Sequence, residues 1–267
     1  MTLKQPFVGN FVPWDGGTLL IGRGGSIVPV HAHYAIQIAF GSTPGIRFRG
    51  GDRDDDPWTE YPGAIIPSRQ PHSMDVTEVQ PNLVLFVEPE THQGRAIAER
   101  WLADGIATIP WDVVAEHGMP IFDVWREEHS AAAIEQAARR LVHVLAGGVD
   151  PSIVSDERIL RAVAHIRAHV DQPLTLDEVA DVACLSPSRF RHLFVEETGM
   201  AFRPYVLWRR FLKVWELLAH GASLSVAAHA AGFADAAHLS RTSKQMFGFP
   251  PSSMLVKALR EDEAKAR

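Results

Sequence analysis

The chain has 267 residues, of which 46% are hydrophobic and 22% charged, and a formal net charge of −6. This composition excludes a disordered chain, and the length is sufficient for two packed domains. No apolar run is long enough to span a membrane and the start lacks a secretory signal pattern, so we expect a cytoplasmic protein without a membrane partner. One cysteine, Cys184, excludes an internal disulfide. Its helical context predicts a buried side chain.

The charge is distributed unevenly along the chain. Residues 1–155 hold 11 Lys and Arg against 19 Asp and Glu, whereas residues 156–267 hold 15 against 13. The first part is therefore acidic and the second slightly basic. A basic face in the second part is compatible with phosphate binding, although the net charge alone does not establish it.

Short apolar runs separated by Gly and Pro fill the first hundred or so residues. Runs such as TLLIGRG, AIQIAFG and LVLFVEP have the length and composition of β-strands. Several strands at this spacing predict a sandwich, jelly roll or barrel. The polar run GGDRDDDPW favours a solvated hairpin loop over a calcium site.

Apolar residues recur at helical spacing from about Gly94 onward. One apolar stripe in this region is expected to pack on its own domain: Ile134, Ala138, Leu141 and Leu145. The following Gly147-Gly148 and Asp150-Pro151 predict a helix end and a linker. The second domain is therefore expected to begin near Ser155.

The second domain contains a helix pair with clear start and stop signals. Thr175 and Glu178 form a capping box, Ser186 precedes Pro187 at the start of the second helix, and Gly199 can end it. A shared apolar core is predicted at helical spacing: Leu176, Val179, Ala180, Phe190, Leu193 and Phe194.

The same pattern recurs in SLSVAAHAAGFADAAHLSRTSKQMFG, where Ser223, Asp235 and Gly248 repeat the capping positions. One long helix, PYVLWRRFLKVWELLAHG, separates the two copies. The second helix of each pair carries an outward row of polar and basic residues. Such a row is typical of a recognition helix in a DNA major groove, and its duplication favours DNA binding over an ordinary surface helix.

The segments LTLDEVADVACLSPSRFRHLFVEETG, YVLWRRF and AAGFADAAHLSRTSKQMFGFPP resemble the double helix-turn-helix domain of the AraC/XylS family of bacterial transcription regulators. The resemblance covers the second domain. It implies base-facing positions at Ser188, Arg191 and His192 in the first unit and at Ala237, His238 and Arg241 in the second. It also implies phosphate contacts at Arg189 and Lys244.

Four positions depart from the family pattern. Cys184 replaces the usual turn glycine, Ser243 replaces a core phenylalanine, and Met254-Leu255 replaces a frequent Tyr-Arg pair. Loss of a large apolar anchor predicts a less rigid second unit with weaker DNA contacts. Ala237 points the same way, because alanine can contact only a thymine methyl group.

The first domain resembles the cupin-type sensor domain common in this family, through GGSIVPVHAHYAIQIAFG and YPGAIIPSRQPHSM. His31, His33 and His72 occupy the histidine positions of the two cupin motifs, and Gln37 replaces the glutamate. An amide is a poorer metal ligand than a carboxylate, so the expected role of these four residues is an effector pocket, and no cofactor is required. A divalent metal on the three histidines is the alternative.

We therefore expect an α+β protein of two domains. A cupin-like β-barrel or jelly roll (1–115) and a connecting helical segment (116–154) precede an all-α domain (155–267) of two helix-turn-helix units joined by a long helix. The predicted function is an effector-modulated transcription regulator of the AraC family, without enzymatic activity, that binds double-stranded operator DNA. RNA polymerase and a second copy of the chain are possible partners. The alternatives are a cupin metalloenzyme, such as an isomerase or dioxygenase, with a regulatory helical domain, and an interaction protein that has lost DNA binding.

Overall fold

A computed structural model of the protein describes residues 6–51, 55–151 and 156–259. The N-terminal domain is rich in strands, as the alternating apolar runs predict. Its strands are β1 (Phe7–Trp14), β2 (Gly17–Arg23), β3 (Ile27–His31), β4 (Ile36–Gly41), β5 (Ile46–Gly50), β6 (Thr59–Tyr61), β7 (Gly63–Ile66), β8 (His72–Asp75), β9 (Asn82–Val87) and β10 (Ala107–Ile109).

These strands form two sheets. The larger has the order β10-β7-β4-β9-β2-β1 and continues into a strand from the far end of the chain; the smaller has the order β3-β8-β5-β6. The pairs within the N-terminal domain are antiparallel. The polar run after β5 does connect a hairpin, because β5 pairs with β6. Its Asp52 and Asp54 lie outside the described residues.

The two sheets share an apolar core. Phe48 of the smaller sheet packs with Ala64 of the larger in this core, whereas Ile38 and Leu85 on the other face of the larger sheet are fully buried in a second cluster with helical residues. Burial of aliphatic and aromatic side chains between two sheets is the main stabilising contribution in this architecture. The packing places the ends of β3, β4 and β8 close together, which fixes the positions of the predicted pocket residues.

Helices cover the larger sheet and then build the C-terminal domain. In chain order they are α1 (His92–Trp101), α2 (Trp111–Val113), α3 (Met119–Glu127), α4 (Ala131–Leu145), α5 (Glu157–Ala168), α6 (Leu176–Val182), α7 (Pro187–Thr198), α8 (Phe202–Ala219), α9 (Leu224–Ala230) and α10 (Ala236–Phe247). A π-helical turn joins α2 to α3. The apolar stripe of α4 is buried against the larger sheet, so the prediction that it packs on its own domain is confirmed.

The prediction of an all-α C-terminal domain is wrong at its end. After a 3₁₀ turn, Met254–Lys257 forms β11, which pairs with β1 in parallel and becomes the edge of the larger sheet. Phe7 lies opposite Met254, and Asn10 lies opposite Lys257. Alternating burial along β11 explains why this segment forms a strand, since Met254 and Val256 point into the core while Leu255 is exposed. The chain thus returns to its first strand, whereas the expected domain start near Ser155 lies outside the described residues.

Candidate functional site

Both predicted helix-turn-helix units form, and their capping residues act as expected. Thr175 and Ser186 accept backbone N–H groups at the starts of α6 and α7, and Ser223 and Asp235 do so for α9 and α10. Both second helices end on a glycine in the left-handed region, with φ of 67° at Gly199 and 77° at Gly248. The units are therefore built by local hydrogen bonds that the sequence specifies within a few residues.

The outward rows are solvent-exposed along both recognition helices. On α7 the exposed residues include Ser188, Arg189, Arg191 and His192. On α10 they include Ala237, His238, Arg241 and Lys244. The opposite faces are buried through Phe190 and Leu239, which anchor each helix to its unit. Both rows are therefore accessible to solvent in this arrangement of the domains.

Ser243 does not leave an unfilled core in the second unit. Its side chain is fully buried, and its hydroxyl donates a hydrogen bond of 2.8 Å to the carbonyl oxygen of Phe249. Phe247 packs nearby, with ring centroids 5.1 Å from Phe211 and 6.2 Å from Trp215. Aromatic side chains from α8 and the end of α10 therefore supply apolar volume to this unit.

The prediction that Cys184 is buried is wrong. The residue lies beyond the end of α6, in the turn between α6 and α7, and its side chain is exposed. Its φ of 55° is in the left-handed region, which glycine adopts most easily. The family's preference for glycine at this position therefore reflects the backbone conformation of the turn.

Three histidines converge at the end of the smaller sheet. His31 ends β3, His33 follows it, and His72 begins β8, so the topology brings both motifs together. All three are buried, and one nitrogen from each lies within 4.8 Å of the others. The structure thus assembles the predicted pocket histidines, with Gln37 of β4 beside them.

Each histidine is oriented by a backbone carbonyl two residues away. The Nδ1 atoms of His31, His33 and His72 lie 2.8, 2.9 and 2.8 Å from the carbonyl oxygens of Pro29, Ala35 and Gln70, respectively. Bonding of Nδ1 leaves the Nε2 atoms facing the cluster. Burial is the largest cause that lowers the pKa of each ring, and that of His31 falls to about 3. The rings are therefore neutral at pH 7.

The residues fit a transition-metal ion by two further observations. His72 Nε2 is buried and has no hydrogen-bond partner among the described atoms. His33 faces an oxygen at each ring nitrogen, because its Nε2 lies 2.7 Å from Gln37 Oε1, yet a neutral ring carries only one N–H. Either the Gln37 amide is turned to present its N–H group, or the lone pairs of both atoms point to one cation beside them. Three neutral imidazoles, each held by a carbonyl, are suitable metal ligands.

An apolar cavity of about 70 Å³ lies between the two domains, beside this cluster. From the N-terminal domain it is lined by Phe7, Phe11, Thr18, Leu20, Gly25, Val28, His31, Gln37, Met74, Val76, Asn82, Val84 and Phe86. From the C-terminal domain and its final strand it is lined by Trp208, Leu212, Trp215, Phe247, Phe249 and Met254. No Lys, Arg, Asp or Glu is among the described residues that line it. The lining suits an apolar molecule with a neutral polar group near His31 and Gln37.

Comparison with known proteins identifies the C-terminal half. A family described as a helix-turn-helix domain matches residues 179–256. The regulatory protein PocR of Salmonella typhimurium is 29% identical over 99 residues, a match that covers 37% of this chain and 33% of PocR. The match thus extends over only a third of the length of that curated relative. Residues 179–256 are therefore a helix-turn-helix domain.

The helix-turn-helix domain and the N-terminal domain together have a known fold. The crystal structure of ToxT from Vibrio cholerae O395 covers 90% of this chain and 96% of its own, with a TM-score of 0.55 and 10% identity. ToxT from strain SCE256 with a bound unsaturated fatty acid gives a TM-score of 0.51 at 11% identity, covering 94% of this chain and 95% of that one. At this identity the likeness establishes a shared two-domain α+β fold and nothing further.

A buried ion pair joins the helix-turn-helix domain to the N-terminal domain. Arg209 of α8 donates to both carboxylate oxygens of Glu88, at 2.5 and 2.7 Å, and both side chains are buried. Arg209 also donates to the hydroxyl of Tyr205 and lies 3.6 Å from Glu90. Burial lowers the pKa of Arg209, but the charge of Glu88 more than offsets this and the net shift is upward. The guanidinium is therefore charged at any physiological pH.

The residues of α8 and α10 that line the cavity were not predicted from the sequence. They are Trp208, Leu212, Trp215 and Phe247. The histidine motifs predicted an effector pocket within the N-terminal domain alone. One signal was available: α8 carries apolar residues around much of its circumference, with Trp208, Leu212 and Trp215 in addition to the core positions that face the two units. A helix apolar on more than one face is expected to contact more than one neighbour.

Proposed function

We propose that the protein is a sequence-specific DNA-binding transcription regulator whose operator binding is modulated by a small molecule between its two domains. The observation that carries the proposal is the pair of capped helix-turn-helix units with both recognition rows exposed. Two units separated by the 18-residue α8 have the arrangement needed to contact successive segments of major groove. The proposal places the protein in the cytoplasm, where the operator is accessible.

Within each row, we assign contacts by residue chemistry. Arg191 and Arg241 can bind guanine through two hydrogen bonds each, and His192 and His238 lie beside them on the same exposed rows. Ser188 and Ala237 are assigned to base edges near the start of each helix. Arg189 and Lys244 are assigned to phosphates, which contribute affinity without sequence preference. Loss of a base contact should therefore change selectivity, whereas loss of a phosphate contact should change the salt dependence.

The test begins with selection from a random duplex library by the full-length protein, followed by gel-shift titration of the enriched sequence. We expect an enriched motif and weakening of specific binding by ~1–3 kcal/mol in Arg191→Ala and in Arg241→Ala. Arg126→Ala is the matched control, because this exposed arginine makes its described contacts within α3, an ion pair with Asp123 and a guanidinium 5.8 Å from the ring centre of Phe122. Failure to enrich any sequence, with and without candidate effectors, would overturn the proposal.

The effector is proposed to be a small apolar molecule in the cavity beside the histidine cluster. The support is the apolar lining from both domains and the neutral polar groups of His31 and Gln37, with His33 and His72 behind them. The ligands named for the ToxT structures, a fatty acid among them, are also largely apolar. A molecule that contacts both domains would bind most tightly when they are joined, which couples its binding to the DNA-binding domain. Thermal-shift screening with Trp208→Ala as the cavity variant tests this assignment.

A divalent metal is the second candidate occupant of the histidine cluster. His31, His33 and His72 would hold it, with Gln37 as a weak fourth ligand, and it would supply a Lewis-acidic centre at the polar end of the cavity. Metal analysis after dialysis, repeated on His33→Ala, tests this assignment. Stoichiometric retention by the wild type only would support it, and equal metal content in both proteins would reject it. A cupin metalloenzyme is not favoured, because the matched family is a helix-turn-helix domain and the curated relative is a regulatory protein.

The finer features of the expected architecture are also proposals. We assign a cupin-like arrangement to the two sheets. We also propose that residues 1–115 form the sensing domain, residues 116–154 the helical connection and residues 155–267 the DNA-binding domain. A homodimer and a contact with RNA polymerase are expected for a regulator of this kind. Sedimentation of the full-length chain, alone and with the selected operator, tests the dimer directly.

Among the described residues, no helix combines the length and apolar character needed to span a membrane.

A further inference from the structure

The two recognition helices contact the N-terminal domain at their C-terminal ends. At the end of α7, Arg69 donates to the carbonyl oxygen of Gly199 at 2.9 Å, and Arg95 of α1 donates to the carbonyl oxygen of Glu197. Carbonyl groups in the last turn of a helix lack intrahelical partners and carry partial negative charge. Two guanidinium groups from the other domain therefore stabilise the last turn of α7 without covering its exposed row.

Arg69 connects this contact to the histidine cluster. Its backbone N–H donates to the carbonyl oxygen of His33 at 2.7 Å, and its φ of 65° lies in a region that residues other than glycine rarely adopt. Its guanidinium lies 5.7 Å from the ring centre of Tyr34, which immediately follows His33. The position of the Arg69 side chain is thus fixed by the segment that carries His33.

The second recognition helix contacts the strand that carries His31. At Gly248, where α10 ends, an added Cβ would lie 2.8 Å from the carbonyl oxygen of Pro29 and 3.3 Å from His31 Nδ1. Any residue larger than glycine would therefore displace α10 from β3, apart from the strain that its φ of 77° would cause. The end of α10 lies directly against the carbonyl group that orients His31.

We infer that the segment from Pro29 to Tyr34 sets the relative positions of the two recognition helices, with Arg69 and Arg95 as positioning residues for α7. This inference rests on the proposed function, because it explains how an occupant of the histidine cluster or the adjacent cavity would change sequence-specific DNA binding. An occupant that shifts His31 moves the support of α10, and one that shifts His33 moves the support of α7. The exposed rows keep their composition while the distance and angle between them change.

The experiment uses the full-length chain and four variants: Arg69→Ala, Arg95→Ala, Arg69→Lys and the control Arg126→Ala. Amide hydrogen exchange without DNA is measured in the last turns of α7 and α10. We expect about tenfold faster exchange in the last turn of α7 for each alanine variant, as the helix end loses a charged partner. Exchange at the end of α10 should be unchanged, Arg69→Lys should recover part of the protection, and the control should match the wild type.

The second measurement is binding to a duplex selected by the wild-type protein, and to duplexes mutated in one or the other half of that sequence. Arg69→Ala and Arg95→Ala should lose about tenfold in discrimination within the half that depends on Arg191, with unchanged affinity for unrelated DNA. Exchange and discrimination equal to those of Arg126→Ala would overturn the inference. Absence of any selected sequence would instead overturn the proposed function, while the exchange data would still decide whether the arginines hold α7.

Discussion

Replacement of Arg209 by methionine tests whether the buried ion pair holds the two domains together. Methionine has a similar length and no charge, so the change removes the guanidinium with little loss of packing volume. It leaves Glu88 buried, 1% exposed, without the partner that binds both of its oxygens. The variant therefore tests a buried carboxylate whose remaining cationic neighbour among the described residues is the more distant Arg167, with Nη2 3.8 Å from Glu88 Oε2.

The expected loss follows from the geometry of the pair. Two charge-assisted hydrogen bonds of 2.5 and 2.7 Å are removed, and the carboxylate of Glu88 stays out of water. Removal of one partner from a buried ion pair costs about 3–5 kcal/mol of unfolding free energy. Replacement of both partners by apolar residues is much less damaging, so Glu88→Met combined with Arg209→Met should recover most of that loss.

Urea denaturation followed by tryptophan fluorescence measures the loss, because Trp208 is buried in α8 beside the interface. Limited proteolysis across 150–156 reports domain separation that precedes unfolding. A decrease below about 1 kcal/mol for Arg209→Met would refute the reasoning, because that is the range of an exposed pair. A double variant no more stable than the single one would also refute it, since the effect could not then be attributed to the unpaired carboxylate.

Three further outcomes are expected. Burial, reinforced by a neighbouring carboxylate, raises the pKa of Glu90 to about 8 from 4.5, so the folded state retains a proton that the unfolded state releases. The unfolding free energy should therefore fall as the pH rises from about 4.5 to 8, and urea midpoints for Glu90→Gln between pH 6.5 and 8 should lack this slope. Lys244→Ala should reduce the slope of log affinity against log salt by about 1 without changing sequence preference, in contrast to Arg191→Ala. Ser243→Ala should cost ~0.5–1.5 kcal/mol in thermal or urea unfolding, because the Phe249 carbonyl loses its donor.

The helix-turn-helix units were predictable because their determinants are local. Thr175 and Ser186 cap helices within three residues of themselves, and Gly199 ends a helix through its own backbone conformation. The convergence of His31 and His72 was predictable only through the resemblance to two known motifs, since 41 positions separate them in the sequence. Both kinds of evidence are independent of how the two domains dock.

Two features that could not be predicted depend on that docking. β11 pairs with a strand about 250 residues earlier, and four residues of alternating polarity do not indicate which sheet edge they will join. The sequence gives no sign that Arg209 is buried, because its partner Glu88 lies 121 residues earlier in the other domain. Cys184 was misassigned for a local reason, because apolar neighbours suggested a longer helix than the turn allows.

The domain interface combines a buried ion pair with an apolar cavity. Ligand binding in the cavity can therefore change the stability of the joined arrangement of the domains. The ion pair of Arg209 and Glu88 specifies how the domains meet, yet buried charges contribute little net stability once their desolvation is counted. The cavity at the same domain interface is lined mainly by apolar groups, which gain from being filled. A ligand that buries about 100 Å² of additional apolar surface only in the joined arrangement stabilises it by about 2.5 kcal/mol. That difference changes the ratio of joined to separated domains by about 70-fold. A modest apolar molecule is therefore sufficient to control whether both recognition helices are held in one fixed relation.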